Sequence, residues 1–481
     1  MPAWSESERS ESELAFLSIE QTARLLRKKD VSPSDLVEVA LARIERFNPA
    51  LNAFITVIAD QARAEARRAE KQLRKRSATS ALCGIPVSIK DNFLTRGIRT
   101  TAGSSILSNF IPDKDSNVVQ KLRDAGAILQ GKTNMHEFAY GITNENPHYG
   151  PTRNPWDLER VTGGSSGGSA AALAMGIGCA ATGTDTGGSI RIPSALCGVV
   201  GLKPTFGLVS VEGVVPLAKT LDHAGPMARS VTDVCIMLET IAGDFPRGAI
   251  RPDHRKLRKN RPRKFRIGWP EQYFFERIDR EVLDAIESAA KCFKSLGATI
   301  KEVSLPGLEH SVEPSTNIAL AEATQYHESQ GYFPTQAAKY GDDVRYRLEL
   351  GCKVLAVDYF RALDVKREIT QECDAVFENV DAILAPTLPI AAPRIGEKEV
   401  MIGRKKETVR SALVRLNRPA NLTGHPAISI PCGFTRSGLP IGLQLIAPYW
   451  GEARLLSIAL AYEDATEWHM HHPQLGQVSI S

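Results

Sequence analysis

At 481 residues, with 43% hydrophobic and 24% charged side chains, the chain can bury an extensive core, which excludes a disordered or low-complexity protein. A formal net charge of +4 says little about partners, and eight cysteines without any C-x-x-C spacing argue against both a disulfide framework and a cysteine metal centre. The amino terminus, M-P-A-W-S-E-S-E, has no basic stretch followed by an apolar one, so no secretory signal is expected and a reducing cytoplasm is the expected compartment. In chain order, Ser18-x-x-Gln21 predicts a capping box opening a helix toward Lys29, and Ser32-Pro33-Ser34-Asp35 predicts a second helix with proline in its first turn. The alanine- and charge-rich stretch 60–76 predicts a third, solvent-facing helix. Gly84-Ile85-Pro86-Val87-Ser88-Ile89-Lys90 is a short apolar run that predicts a buried strand ending in a lysine. A helix near 116–125 and a strand around 127–130 follow. The uncharged run 161–184 is long enough to span a bilayer, but its Gly, Ser and Thr content and its lack of flanking aromatic anchors predict a buried helix feeding a buried strand. Ser230-x-x-Asp233 caps a helix ending before Gly243, and further strands are expected at 265–268, 298–303, 382–385, 427–430 and 441–445. This alternation is of the α/β class: one domain over 1–481, with a large mixed sheet covered by helices on both faces.

The segment from Thr162 to Ser194 sets serines between glycines, as in Gly163-Gly164-Ser165-Ser166-Gly167-Gly168-Ser169 and Thr186-Gly187-Gly188-Ser189. Glycine lets backbone N–H groups approach a ligand closely, a property that a packed core does not need. Thr186 to Ser189 therefore reads as a nucleophile beside an oxyanion hole. A serine nucleophile needs a base, and none of the ten histidines sits in a setting that marks it as one. Lys90 is the alternative: desolvation at the end of a buried strand disfavours its charged form and makes it a proton acceptor near neutral pH.

Together, I-P-V-S-I-K-D-N, G-G-S-S-G-G-S and G-T-D-T-G-G-S-I-R-I-P, followed by C-G-V-V-G-L-K-P-T at Cys197 to Thr205 and P-A-N-L-T-G-H-P-A at Pro419 to Ala427, resemble the amidase signature family over nearly the whole chain, with a signature core at about 84–205. The resemblance implies a Ser-Ser-Lys triad of Ser189 as acyl-forming nucleophile, Ser165 as a bridging serine after a cis peptide bond, and Lys90 as neutral base. It also implies an oxyanion hole of Thr186, Gly187 and Gly188 with the Ser189 amide, and the family's amidase fold. Met135, Thr162 and Gly163 are the candidate substrate-binding residues, the pocket being expected around Met135 to Gly141 and within 313–418. No metal or cofactor is expected. Ser166 is read as structural, Asp185 and Arg191 as a pair that fixes the loop, and Ser194 as part of the following helix. Tyr326, Phe333, Tyr346 and Tyr359 either make room for a hydrophobic acyl group or pack the core.

The implied activity is hydrolysis of a small-molecule amide C–N bond, with carbamates or esters as side substrates. One family branch is the glutaminase subunit of a tRNA-dependent amidotransferase, and its members carry an acidic residue shortly before P-A-N-L. Here Ser411 to Arg418 has none, so the ammonium of glutamine would meet Arg415 or Arg418, which favours an independent hydrolase. An inactive binding protein is the third reading, opposed by the intact triad positions. The stretch 251–266 carries nine Lys/Arg against Asp253. Such runs can bind phosphates, but its prolines and its single aromatic residue favour a solvated connector, so neither a nucleic-acid partner nor a membrane is expected. A homodimer remains open.

Overall fold

The computed structural model describes residues 6–75, 80–259 and 261–475, with side chains from residue 11 onward. Both capping boxes form. Ser18 and Gln21 exchange side-chain and backbone hydrogen bonds ahead of helix Ile19–Lys28, and Ser32 and Asp35 do the same ahead of Pro33–Leu51. Ser230 likewise accepts from the Asp233 amide at the start of Val231–Ile241. The helix expected at 60–76 spans Ala59–Arg74, Arg76 lying outside the described residues. It is not wholly solvent-facing: Ala62, Ala66 and Ala69 recur at helical spacing and are buried with Phe54 and Ile128.

Eleven strands form one sheet: β1 Phe54–Val57, β2 Pro86–Lys90, β3 Ile128–Thr133, β4 Ala180–Asp185, β5 Val200–Lys203, β6 His223–Ala228, β7 Phe265–Pro270, β8 Ala298–Val303, β9 Ala382–Pro386, β10 Ala427–Phe434 and β11 Pro440–Ile446. Their spatial order is β1-β3-β2-β4-β6-β5-β10-β11-β9-β7-β8. The sheet is mixed. Strand β2 runs parallel to β3 and β4, and β7 parallel to β8 and β9. The central strands β4, β6, β5, β10 and β11 pair antiparallel in succession. Every strand expected from the sequence is present, several one to four residues longer than the apolar run alone suggested. β1, β5 and β6 are additional. β6 carries a glycine and a proline in H-A-G-P-M-A, residues that weaken a strand signal but are tolerated inside a fully buried sheet.

Two features of the sheet position the site. First, the parallel register of β2 and β4, with Val87 opposite Ala180 and Ser88 opposite Ala181, brings Lys90 and Thr184 out at the same end of adjacent strands. Second, the run 161–184 folds as expected into helix Gly167–Ala174 and strand β4, both buried at every position. No helix among the described residues is long and apolar enough to cross a membrane. Within the basic stretch, helix His254–Leu257 connects toward β7, and Arg258 and Arg261 meet Asp464.

The buried helix can lie this close to its neighbours because its first two residues, Gly167 and Gly168, have no side chains. A Cβ on Gly168 would sit 2.4 Å from the Ala53 carbonyl oxygen and 2.5 Å from that of Asn134, both rigid backbone atoms. Gly168→Ala is therefore expected to lower the unfolding free energy by about 2–4 kcal/mol, in the range of an overpacked core. Urea denaturation checks this, and a midpoint equal to that of the wild type would show that the helix can shift freely.

Candidate active site

Lys90 is fully buried at the end of β2, and its Nζ lies 2.8 Å from Ser165 Oγ, 2.9 Å from Ser166 Oγ and 2.7 Å from Thr184 Oγ1. No carboxylate touches it. Burial pushes the amine well below its ordinary value of 10.5, and the more distant charges of Asp185 and Asp222 offset this only in part. A neutral amine surrounded by three hydroxyls can donate to some and accept from another. The other two fully buried lysines lack this environment. Lys132 pairs with Asp91 at 3.3 Å, and Lys203 donates to the Pro204 carbonyl at 2.9 Å. Lys132 also donates to Thr100 Oγ1 at 2.7 Å, so what sets Lys90 apart is a set of three hydroxyls with no carboxylate in contact.

Ser165 follows a cis peptide bond from Gly164, as the resemblance implies. Ser166, expected to be structural, also accepts from Lys90 at 2.9 Å. Its amide also donates to the Ser189 carbonyl at 3.2 Å, so the two serine motifs are joined through their backbones. Ser189 itself lies on the turn after β4, and its hydroxyl makes no hydrogen bond with any described residue. Lys90 and Ser165 are thus in direct contact, while the Ser165 and Ser189 hydroxyls are not hydrogen-bonded to each other. None of the described histidines hydrogen-bonds to either hydroxyl.

The turn is held by a buried ion pair. Asp185 accepts from Arg191 Nε at 3.0 Å and Nη2 at 3.1 Å, and from the Gly188 amide at 2.7 Å. Burial alone would raise the Asp185 carboxyl, but the Arg191 guanidinium holds it well below the usual carboxylate range. Arg191 reaches further, to Gln444 Oε1 at 3.1 Å, the Asn417 carbonyl at 3.0 Å and Asn421 Oδ1 at 2.7 Å. The expected loop-fixing role of Asp185 and Arg191 matches this geometry. The Gly188 amide is consumed by it, so of the expected oxyanion donors only the Thr186, Gly187 and Ser189 amides have no partner among the described residues. Asn417, Asn421 and Gln444 were not singled out from the sequence, although Asn421 lies within the quoted P-A-N-L.

Thr186, Gly187 and Ser189 line a small cavity of about 50 Å³. Ala139, Tyr140, Gly141 and Ile142 also line it, and Arg410, Val414 and Arg418 complete it with Leu217, Ser315 and Ala319. The expected pocket segments thus contribute through 139–141 and through residues of 313–418. Met135, Thr162 and Gly163 are not among the lining residues. Met135 is buried with its carbonyl accepting from Asn146, and the Thr162 hydroxyl turns to the Gly163 carbonyl. Arg415 points elsewhere, to Glu407 at 3.3 Å and the Arg277 carbonyl at 2.6 Å, whereas Arg418 faces the cavity. None of the four aromatics lines it. Phe333 and Tyr326 pack in a separate cluster, Tyr359 donates to Glu322, and Tyr346 is exposed.

A family profile described as Amidase matches residues 35–456. The chain belongs to the amidase signature family. It is 42% identical to a glutamyl-tRNA(Gln) amidotransferase subunit of Gloeothece citriformis, covering 96% of this chain and 100% of that protein. Among solved structures it resembles an amidase at TM-score 0.85 and 36% identity, covering 93% of this chain and 99% of the other. A second neighbour comes from a vestigial protein complex that bears on the origins of an s-triazine catabolic enzyme. It has TM-score 0.87 and 34% identity, covering 93% of this chain and 98% of that one. The eleven-stranded mixed sheet is accordingly the amidase signature fold.

In this amidase signature protein the depressed Lys90 value has a thermodynamic signature. The unfolded chain keeps a proton on Lys90 up to about 10.5 while the folded chain has already released it, so folding stability rises with pH in the window below 10.5. The unfolding free energy of the wild type relative to Lys90→Met is expected to climb with pH, at up to about 1.4 kcal/mol per unit. Denaturation at pH 7, 8 and 9 checks this, and a flat difference would mean that Lys90 stays charged.

Proposed function

We propose that this protein hydrolyses a carboxylic amide C–N bond through an acyl intermediate on Ser189, with Lys90 as neutral base and Ser165 as proton bridge. The observation that carries the reading is the buried, carboxylate-free Lys90 amine at 2.8 Å from Ser165. The Ser189 hydroxyl turns to Ser165, gives up its proton along the relay toward Lys90, and its oxygen attacks the amide carbon. The resulting oxyanion is met by the Thr186, Gly187 and Ser189 amides, which are held in place rather than reorganised during the reaction. Collapse breaks the C–N bond as the relay returns a proton to the leaving nitrogen. Water then attacks the acyl-Ser189 ester by the same route, giving acid and amine and restoring the hydroxyl.

A second reading, the glutaminase subunit of a tRNA-dependent amidotransferase, is favoured by the full-length similarity to a glutamyl-tRNA(Gln) amidotransferase component. The similarity weighs toward this reading more than toward an independent hydrolase. It uses the same acyl-Ser189 chemistry and would place the chain in a complex with further subunits. On the other side, no carboxylate lines the cavity to receive the ammonium of glutamine.

Ser189→Ala is expected to abolish amide turnover and labelling by a fluorophosphonate probe while the chain stays folded. Residual turnover above about 1% would put the nucleophile elsewhere, because loss of a nucleophile removes several orders of magnitude of rate. Lys90→Ala is expected to damage amide hydrolysis far more than hydrolysis of an activated ester, whose leaving group needs little protonation. Equal losses on the two substrates would make Lys90 a structural residue.

A further inference from the structure

The cavity beside Ser189 is positively charged without internal compensation. Arg410, on helix Val409–Arg415, lines it and makes no hydrogen bond or ion pair with any described residue. Arg418, at the start of helix Arg418–Thr423, also lines it and donates to the Val312 carbonyl at 3.0 Å and to Thr316 Oγ1 at 2.6 Å, both uncharged acceptors. Asp343, the acid whose charge acts on Arg410, is committed to Arg347 at 2.7 Å and to His136 at 2.9 Å. Burial, followed by the like charges of Arg347 and Arg418, pushes Arg410 down to about 9, so it is still largely a cation at neutral pH. Tyr140 completes the set. Its hydroxyl is buried without a partner, and burial pushes it up to about 12, so it remains an O–H donor facing Arg410, Arg347 and Arg418. Two half-buried cations without a carboxylate partner and an orphaned buried donor favour an anion, which satisfies all of them together.

We propose that Arg410, Arg418 and the Tyr140 hydroxyl form a subsite for a carboxylate on the acyl half of the substrate, which is therefore the monoamide of a small dicarboxylic acid without an α-ammonium group. This rests on Ser189 as the nucleophile at the other side of the same cavity. Arginine is suited to the task because its planar fork matches a carboxylate bidentately. The small cavity favours a short linear acyl chain over an aryl group. Glutamine fits half of this requirement: its carboxylate would be received, but its ammonium would enter a site lined by two guanidiniums and no acid.

The test uses three amides that differ by one group each: glutaramate, L-glutamine, which adds the ammonium, and pentanamide, in which a methyl replaces the carboxylate. The purified full chain is expected to show kcat/KM for glutaramate about 10- to 100-fold above that for pentanamide, the range for hydrogen bonds to a charged group, and also above that for glutamine. Arg410→Gln and Arg418→Gln should each cut the glutaramate-to-pentanamide ratio by about tenfold or more. Fluorophosphonate labelling of Ser189 reports in every variant that the site is folded. Labelled protein that cleaves pentanamide as well as glutaramate, that prefers glutamine, that cleaves none of the three, or whose ratio is indifferent to both substitutions overturns the subsite. Wild-type protein that takes no label and cleaves nothing overturns the Ser189 reading first, and the subsite with it.

Discussion

The buried pair of Asp185 and Arg191 is the constraint on which the rest of the site depends. Asp185 closes β4 and clamps the following turn by accepting from the Gly188 amide, so the amides of Thr186, Gly187 and Ser189 are left pointing free. Arg191 then bolts this turn to elements far away in the chain, through Asn417, Asn421 and Gln444. A buried ion pair is not a cheap source of stability, since both charges lose their water. Its value here is positional. With each guanidinium nitrogen and both carboxylate oxygens occupied, the turn has one geometry open to it, and a serine on that turn has a fixed place relative to Lys90.

The second constraint is solvation. Burial pushes Lys90 well below its ordinary value with no carboxylate in contact, whereas Lys132, also pushed down by burial, has Asp91 at 3.3 Å. A similar contrast holds between two arginines of helix Val409–Arg415, of which only Arg410 lines the cavity. Arg415 is paired with Glu407 and serves the scaffold, while Arg410 has no such partner.

Much of this was legible in the sequence. Lys90, Ser189 and the Asp185–Arg191 pair stand out in local motifs and Ser165 in the family resemblance, and the structure brings Lys90 against Ser165 and Asp185 against Arg191. The strands with plain apolar runs were equally readable. What escaped depends on long-range placement. Ser166 looks like a turn serine until β2 brings Lys90 against it, and Gly188 looks like an oxyanion donor until the Asp185 carboxylate is seen to take its N–H. Arg410 and Arg415 are five residues apart on one short helix, which turns them about 140° from one another, and Glu407, from outside that helix, pairs with the second. The β6 strand, with glycine and proline inside it, is stabilised by pairing on both edges rather than by any local propensity.

The reach of Arg191 to Gln444 spans 253 residues. Those 253 residues must be made before the turn carrying Ser189 acquires this brace, and contacts of such sequence separation form late and slowly. The Ser189 hydroxyl would take its fixed place only once the strand carrying Gln444 had docked.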